Sequence, residues 1–416
     1  MQLSSTAPVT ILATRTDRRY IPQVAVLPGG VLRLNIGVGP DASFTPGVAY
    51  HSYDDGRTWQ EAPTPVPRIE CCTTLSNGHY YEIDDYFFQD PDSPDDYRGW
   101  AGFSADGRAF HREVITIRAP SVEPVTLRTM RMMGQPHEPW FEMVNHANHH
   151  RPVSLDSVMI GGVHMTGIQE LESPEHLLGV GYFRGLRGYE NRGVLLLEST
   201  DGGRLWVERS VAMYIPDTPE GANEAALVQL ADGQLYCMAR TGALMHHAWS
   251  ADGGDTWSTP EPVRMADTGI YVTGVMPTVR RMRGGGLIAV YGRPKSLATT
   301  DLAAAQAHDY VAEHYGVCGK FVMVDPSGTG RQWQSRLDLH EVETACQAYM
   351  GVPPEQRLRV DHDTNVRTVN SWEYLSLNEI ADDTFLITYD VQRYRESWNA
   401  HPIQGVRMLR LTVQRG

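Results

Sequence analysis

Three stretches of this chain share one spacing: Ser52-Tyr-Asp54-Asp-Gly56-Arg-Thr58-Trp59, Ser199-Thr-Asp201-Gly-Gly203-Arg-Leu-Trp206 and Ser250-Ala-Asp252-Gly-Gly254-Asp-Thr256-Trp257. The shared pattern is Ser-x-Asp-x-Gly-x-Thr-Trp. Hydroxyls and a carboxylate can satisfy the backbone of a tight turn, glycine permits the special dihedral, and tryptophan anchors the tip. A repeated hairpin tip implies a repeated hairpin. Ser104-Ala-Asp106-Gly-Arg-Ala-Phe110 and Asp325-Pro-Ser-Gly328-Thr-Gly-Arg-Gln-Trp333 read as degenerate copies, so the repeat runs along most of the chain. Self-similarity of this kind points to a stacked or ring-like array of equivalent units.

The 416 residues include 39 Gly, 19 Tyr and 9 Trp, without a long stretch of helical periodicity, which suits many short strands joined by tight turns. The expectation is an all-β chain forming one closed domain over residues 1–416. A formal charge of −14 and the lack of a Lys/Arg-rich run argue against a nucleic-acid partner. No apolar run approaches the roughly 18 residues of a membrane span. Residues 1–17 lack the layout of a secretory signal, so the chain as it stands is expected to be cytoplasmic, or secreted if a leader was removed. The five cysteines, Cys71, Cys72, Cys237, Cys318 and Cys346, are odd in number and lack CxxC spacing, so free thiols are expected rather than disulfides or a zinc site.

Six segments place an apolar strand on each side of a short turn: Val24–Leu32, Thr74–Tyr80, Gln169–Leu177, Leu227–Leu235, Val279–Leu287 and Leu377–Phe385. They predict six blades of a β-propeller, each with this hairpin as its inner strands and the Asp-containing turn further out. Pairing of Val9–Thr14 with Val406–Thr412 would close the ring and protect its free edges. Two insertions interrupt the spacing, near 117–156 and 338–369, and long loops in compact folds often shape a site. The first contains His137, His146, His149 and His150, whose spacing matches no recognised ligand set and is read as a polar loop rather than a metal cluster. No metal and no cofactor are expected.

The hairpins also serve as a ruler. With the apolar residue before each turn as zero, position −6 is Ile21, Ile69, Met165, Glu224, Met276 and Tyr374, and position −7 is Tyr20, Arg68, His164, Asn223, Val275 and Glu373. In a propeller the starts of the innermost strands converge on the axis, so these residues can meet in one pocket. Glu224 and Tyr374 share a position two blades apart. A carboxylate beside a phenol is what a nucleophilic tyrosine needs, because the glutamate can take a proton that otherwise leaves only near pH ~10.

On these residues the chain resembles the sialidases (neuraminidases) and their six-bladed relatives. The Asp-containing turns resemble that family's Asp boxes. Asn223-Glu224 through Arg240 resembles the segment that supplies a general-base glutamate and one arginine of a substrate-carboxylate clamp. Tyr374-Leu-Ser-Leu resembles the nucleophilic tyrosine segment, His164-Met-Thr-Gly167-Ile-Gln169 the Gly-Ile-Gln stretch of the third blade, and Pro277-Thr-Val with Tyr291-Gly-Arg293 the fifth-blade segment. The resemblance implies a retaining exo-glycosidase that cleaves a terminal acidic sugar, sialic acid or a related ulosonic acid, from a glycan through a glycosyl-tyrosine. Asp41 would be the acid/base, with Arg240, Arg293, Tyr20, His164, Arg68 and Glu70 lining the substrate pocket.

The chain departs from the family at two places, one of them Leu34-Asn35-Ile36-Gly37, which stands where an Asp-x-Arg motif is usual. The segment Arg18-Arg19-Tyr20-Ile21-Pro22 has tyrosine where an Arg-Ile-Pro motif would place a clamp arginine, and a phenol cannot form the bidentate pair that guanidinium gives a carboxylate. This favours an alternative, a propeller hydrolase or lyase for a uronate- or rhamnose-containing glycan; a non-catalytic carbohydrate-binding propeller is the other. Plain structural roles stay open residue by residue. Glu224 can be an ion-pair partner of Arg240, Tyr374 a barrel-facing aromatic, Asp41 a turn residue, His164 a satisfied polar residue and Arg293 a solvated loop residue, while Arg68 and Glu70 can pair with each other.

Overall fold

A computed structural model describes residues 1–6, 9–13, 19–38, 47–62, 69–84, 87–126, 159–161, 163–183, 185–218, 221–294, 299–307, 318–339, 375–391 and 405–415. They form a six-bladed β-propeller. Each inner hairpin read from the sequence is present: Arg19–Val26 with Leu32–Val38, Ile69–Thr74 with Tyr80–Asp84, Val163–Glu170 with Leu177–Phe183, Asn223–Gln229 with Leu235–Thr241, Val275–Arg281 with Leu287–Pro294, and Leu375–Ala381 with Thr384–Val391. The six first strands neighbour one another in chain order, and the sixth returns to the first.

The repeated turns join the third and fourth strands of blades one to five. In the first, Gly56 N–H donates to Ser52 Oγ at 2.7 Å and Thr58 N–H to Asp54 Oδ1 at 2.8 Å, with the Thr58 hydroxyl on Asp54 Oδ2 at 2.7 Å. The turn at Ser250 repeats the set, with Gly254 N–H on Ser250 Oγ at 2.7 Å and Thr256 N–H on Asp252 Oδ1 at 2.9 Å. Gly254 takes φ 101°, so the backbone demands glycine, and a Cβ there would also have to displace the end of the Leu196 side chain of the preceding blade, 2.1 Å away.

Closure involves more of the N-terminus than the sequence suggested. Gly405–Gln414 pairs with Thr384–Val391 on one side, and with both Gln2–Ser5 and Val9–Ala13 on the other. The sixth blade is thus completed by the start of the chain. Blades two and three are joined further at their outer strands, where Thr116–Arg118 runs parallel to Leu205–Val207.

The core lies between blades rather than within one layer. Tyr81, Ile83 and Ile115 of blade two meet Leu195, Leu197 and Trp206 of blade three. Tyr236 and Met238 of blade four meet Leu287, Ala289 and Phe321 of blade five. The boundary of blades one and two differs: its apolar cluster is small, and a buried polar set of Arg33, Asn35, His51, Tyr80 and Glu82 fills the rest.

The ends of the first insertion are strand: Ile117 and Arg118 finish the outer strand of blade two, and Val125–Thr126 pairs with Met159–Gly161. Residues 127–156, with the four histidines, lie outside the described residues, as does 340–369 of the second. Cys71 and Cys237 are buried free thiols and Cys72 is a half-buried one. No helix among the described residues is long and apolar enough to cross a membrane.

Candidate active site

Five blades carry the same irregularity near the start of the first strand. The ladder shifts between Tyr20 and Gln23, Ile69 and Cys71, Met165 and Gly167, Asn223 and Ala225, and Val275 and Thr278. Each shift is a β-bulge, which adds a residue to one strand and re-aims a side chain. The ruler lands inside the bulge in blades one, four and five, and one residue before it in blades two and three, where Glu70 and Thr166 are the extra residues. A count back from the turn cannot see where the extra residue is inserted.

Glu224 is the bulged residue of blade four, at φ 42°, a left-handed value that costs a non-glycine residue about 1–3 kcal/mol. Its carboxylate is held from two sides. Arg240 Nη1, on the paired strand of the same blade, donates to Oε1 at 3.2 Å, and the backbone N–H of Met276 in blade five donates to Oε2 at 3.0 Å. Both side chains of the ion pair are buried. Met276 sits in the next bulge at φ 44°, before Pro277. The sequence offers no signal for that backbone donor, because a positive φ at methionine follows from the ladder and not from residue type.

His164, in blade three, is buried with its ring stacked on Tyr182 at 4.8 Å and 16°, and the two residues face each other in the ladder. Asn223 is buried beside Glu224. Arg293 lies within one residue of the register that Arg240 occupies one blade earlier, since Asn223 pairs with Arg240 and Val275 with Gly292. The backbones of Tyr20, Glu70 and Arg293 belong to described strands, but their side chains lie outside the description, and Asp41, Arg68 and Tyr374 lie outside the described residues. Tyr374 immediately precedes the first strand of blade six. Of the residues singled out, Glu224 and Arg240 are therefore brought into contact, at the axial end of blade four. Among the described residues no group of three His, Cys, Asp or Glu is placed to hold a metal ion.

No protein-family model and no curated protein matches the sequence. Among solved structures, a protein of unknown function from Dyadobacter fermentans is similar over 99% of both chains, at 15% identity and a TM-score of 0.60. An alpha-L-arabinofuranosidase of Fusarium graminearum, with an iminosugar inhibitor bound, is similar over 98% of both chains at 10% identity and a TM-score of 0.55. A Hadza microbial sialidase shares 15% identity and a TM-score of 0.49 over 95% of this chain and 65% of its own. At such identities the likeness to the first two is one of fold.

What the site can do is set by its charges. The Arg240 cation is paired with Glu224, and Glu224 has each oxygen engaged by a donor. A carboxylate so held is oriented rather than free to swing, which is the condition for a group that must meet one particular proton.

Proposed function

We propose that this protein is a retaining exo-glycosidase that cleaves a terminal acidic sugar, sialic acid or a related ulosonic acid, from a glycan. The single observation that carries the reading is Glu224: a carboxylate held at a strained bulge, at the axial end of its blade, by Arg240 and the Met276 N–H. A protein bears strain of this kind where the geometry has work to do. In the proposed cycle Glu224 accepts the phenolic proton of Tyr374, whose oxygen attacks the anomeric carbon while Asp41 protonates the departing glycosidic oxygen. Asp41 then removes a proton from water, which displaces the tyrosine, and Glu224 returns the proton to the phenolate. Arg240 and Arg293 would hold the sugar carboxylate, with Tyr20, His164, Arg68 and Glu70 around it.

A second reading is favoured by the same pair. Tyr20 replaces one clamp arginine and Glu224 offsets another, which suits a sugar whose carboxylate is placed differently or absent; the protein would then cleave, by hydrolysis or elimination, a uronate- or rhamnose-containing glycan. A panel of 4-nitrophenyl and 4-methylumbelliferyl glycosides, including the α-sialoside, distinguishes the two by which sugar is released. Tyr374→Phe and Glu224→Gln should each abolish that release. Turnover that survives Tyr374→Phe removes the tyrosine mechanism, and a labelled Tyr374 after incubation with a fluorinated sialoside supports it.

A further inference from the structure

The bulge at Glu224 leaves its own strand locally out of register, and the neighbouring blade supplies the missing partners. Ala225, the next residue, receives both of its external bonds from one side chain: its N–H donates to Thr166 Oγ1 at 3.1 Å, and the Thr166 hydroxyl donates to its carbonyl at 2.5 Å. Thr166 is itself the extra residue of the bulge in blade three, between Met165 and Gly167. A hydroxyl that donates and accepts on one residue anchors both that residue's N–H and its carbonyl, and the N–H belongs to the peptide that follows Glu224.

The next junction repeats the device. The bulged residue of blade four, Glu224, reaches the bulge of blade five through the Met276 N–H at 3.0 Å. Two consecutive bulges around the axis are therefore tied, each by the side chain of the one before. Gly167 makes the first tie possible. A Cβ at that position would lie 3.3 Å from the Leu227 nitrogen, 3.7 Å from the Ala225 oxygen and 3.2 Å from Val180, so the two inner strands approach closely beside Thr166 because the residue has no side chain.

We propose that Thr166 is the positioning residue for Glu224: its hydroxyl bonds the Ala225 backbone rather than the carboxylate, and holds the peptide from which the Glu224 side chain is presented to Arg240 and the Met276 N–H. This rests on the catalytic reading of Glu224 for its consequence, and on the geometry alone for its first effect. Valine matches threonine in shape and cannot make either bond. In Thr166→Val the Ala225 N–H and carbonyl lose their partner, and the peptide that follows Glu224 loses its anchor.

Crystal structures of wild type, Thr166→Val and Thr166→Ser test the geometric step without any substrate. The expected result is that serine keeps Glu224 at positive φ with its Met276 N–H contact, and valine releases both. A valine variant with the wild-type geometry at Glu224 overturns the proposal. Kinetics on the glycoside released by the wild type then test the consequence: Thr166→Val should lower kcat by about 10- to 100-fold with little change in KM, because a displacement on the order of 1 Å costs that much, and serine should restore it to within about threefold. Full activity in Glu224→Gln would overturn the catalytic reading and leave the structural test standing; loss in Glu224→Gln with wild-type kcat in Thr166→Val would overturn the positioning role. If valine prevents folding, Thr166→Ala, which lacks the hydroxyl as well, is read in structure and kcat against the same expectations.

Discussion

The Trp206 indole N–H donates to the Tyr81 hydroxyl at 3.1 Å, across the boundary between blades three and two. Both side chains are fully buried, and the Tyr81 hydroxyl passes its own proton to the Gly203 carbonyl at 2.9 Å. The same latch recurs two blades on, where Trp333 donates to the Tyr236 hydroxyl at 3.0 Å. The tryptophan of the turn thus anchors blades three, four and five to the preceding blade, Trp257 through Ser210 Oγ at 3.1 Å, whereas Trp59 of blade one donates to the Gly56 carbonyl of its own turn.

Tyr81→Phe should therefore destabilise the protein by about 1–3 kcal/mol, since it leaves a buried indole N–H and a buried carbonyl without their partner while barely changing packing. Urea titrations should show a lower midpoint at unchanged slope. Tyr236→Phe is expected to behave alike, with the added loss of its contact to His247 Nδ1 at 3.1 Å. A midpoint unmoved in both variants removes the latch from the account of stability.

Acid should act first on the histidines. Burial and the Arg33 cation lower the His51 pKa to about 4, and burial lowers His246 to about 4 and His247 to about 3. His51 Nε2 lies 3.1 Å from Arg33 Nη1, so the ring must be neutral there to accept; Arg33 is held in turn by Glu82 at 3.2 Å, and Glu82 by Tyr80 at 2.7 Å. Unfolded histidine takes up its proton near pH ~6.5. Unfolding therefore takes up protons between that pH and about 4, and stability falls as pH falls through this window. The Asp turns come later: hydrogen bonds from the Thr58 hydroxyl and N–H lower Asp54 to about 2, so their contribution persists to lower pH. Thermal melts from pH 7 to 4 should show a progressive fall in Tm, and His51→Gln should flatten it. An equal fall in wild type and His51→Gln would assign the acid sensitivity elsewhere.

Much of this fold was legible because turn chemistry is local. Ser52, Asp54 and Gly56 make their bonds within five residues, so spacing alone reveals them, and the hairpin count follows from apolar residues flanking short turns. Glu224 and Arg240 could be paired on paper because they sit on adjacent strands joined by one tight turn. Thr166 and the Met276 N–H could not. Their roles depend on bulges, where one inserted residue breaks the period-two relation between position and face, and on contacts between blades some 50 to 60 residues apart in sequence. The second strand contributed by Gln2–Ser5 escaped for a similar reason, since a four-residue strand carries almost no periodic signal.

Ring closure makes a separate prediction. Gln2–Ser5 and Val9–Ala13 cover one edge of Gly405–Gln414, and Thr6 Oγ1 accepts from the Arg410 N–H at 3.0 Å. Removing residues 1–13 exposes a long strand edge whose apolar side packs on blade one. The truncated protein should lose cooperative unfolding in calorimetry and self-associate on sizing columns. A monodisperse truncated form with an undiminished transition would show that the sixth blade stands without the N-terminal strands.

The Glu224–Arg240 pair separates stability from chemistry by double substitution. Both side chains are less than 10% exposed, so neither charge is well hydrated without the other. Arg240→Met removes the donor to Glu224 Oε1, and removing one member of a buried pair costs about 3–5 kcal/mol. Glu224→Gln alone should cost less, since an amide oxygen still accepts from either donor. Combining Glu224→Gln with Arg240→Met should recover part of the loss seen in Arg240→Met, because the uncompensated charge is gone. Denaturant midpoints for the two single variants and the double variant give the coupling directly. Strict additivity would mean that the ion pair contributes nothing as a pair, and that each side chain is retained at this end of the blade for what it offers to a ligand.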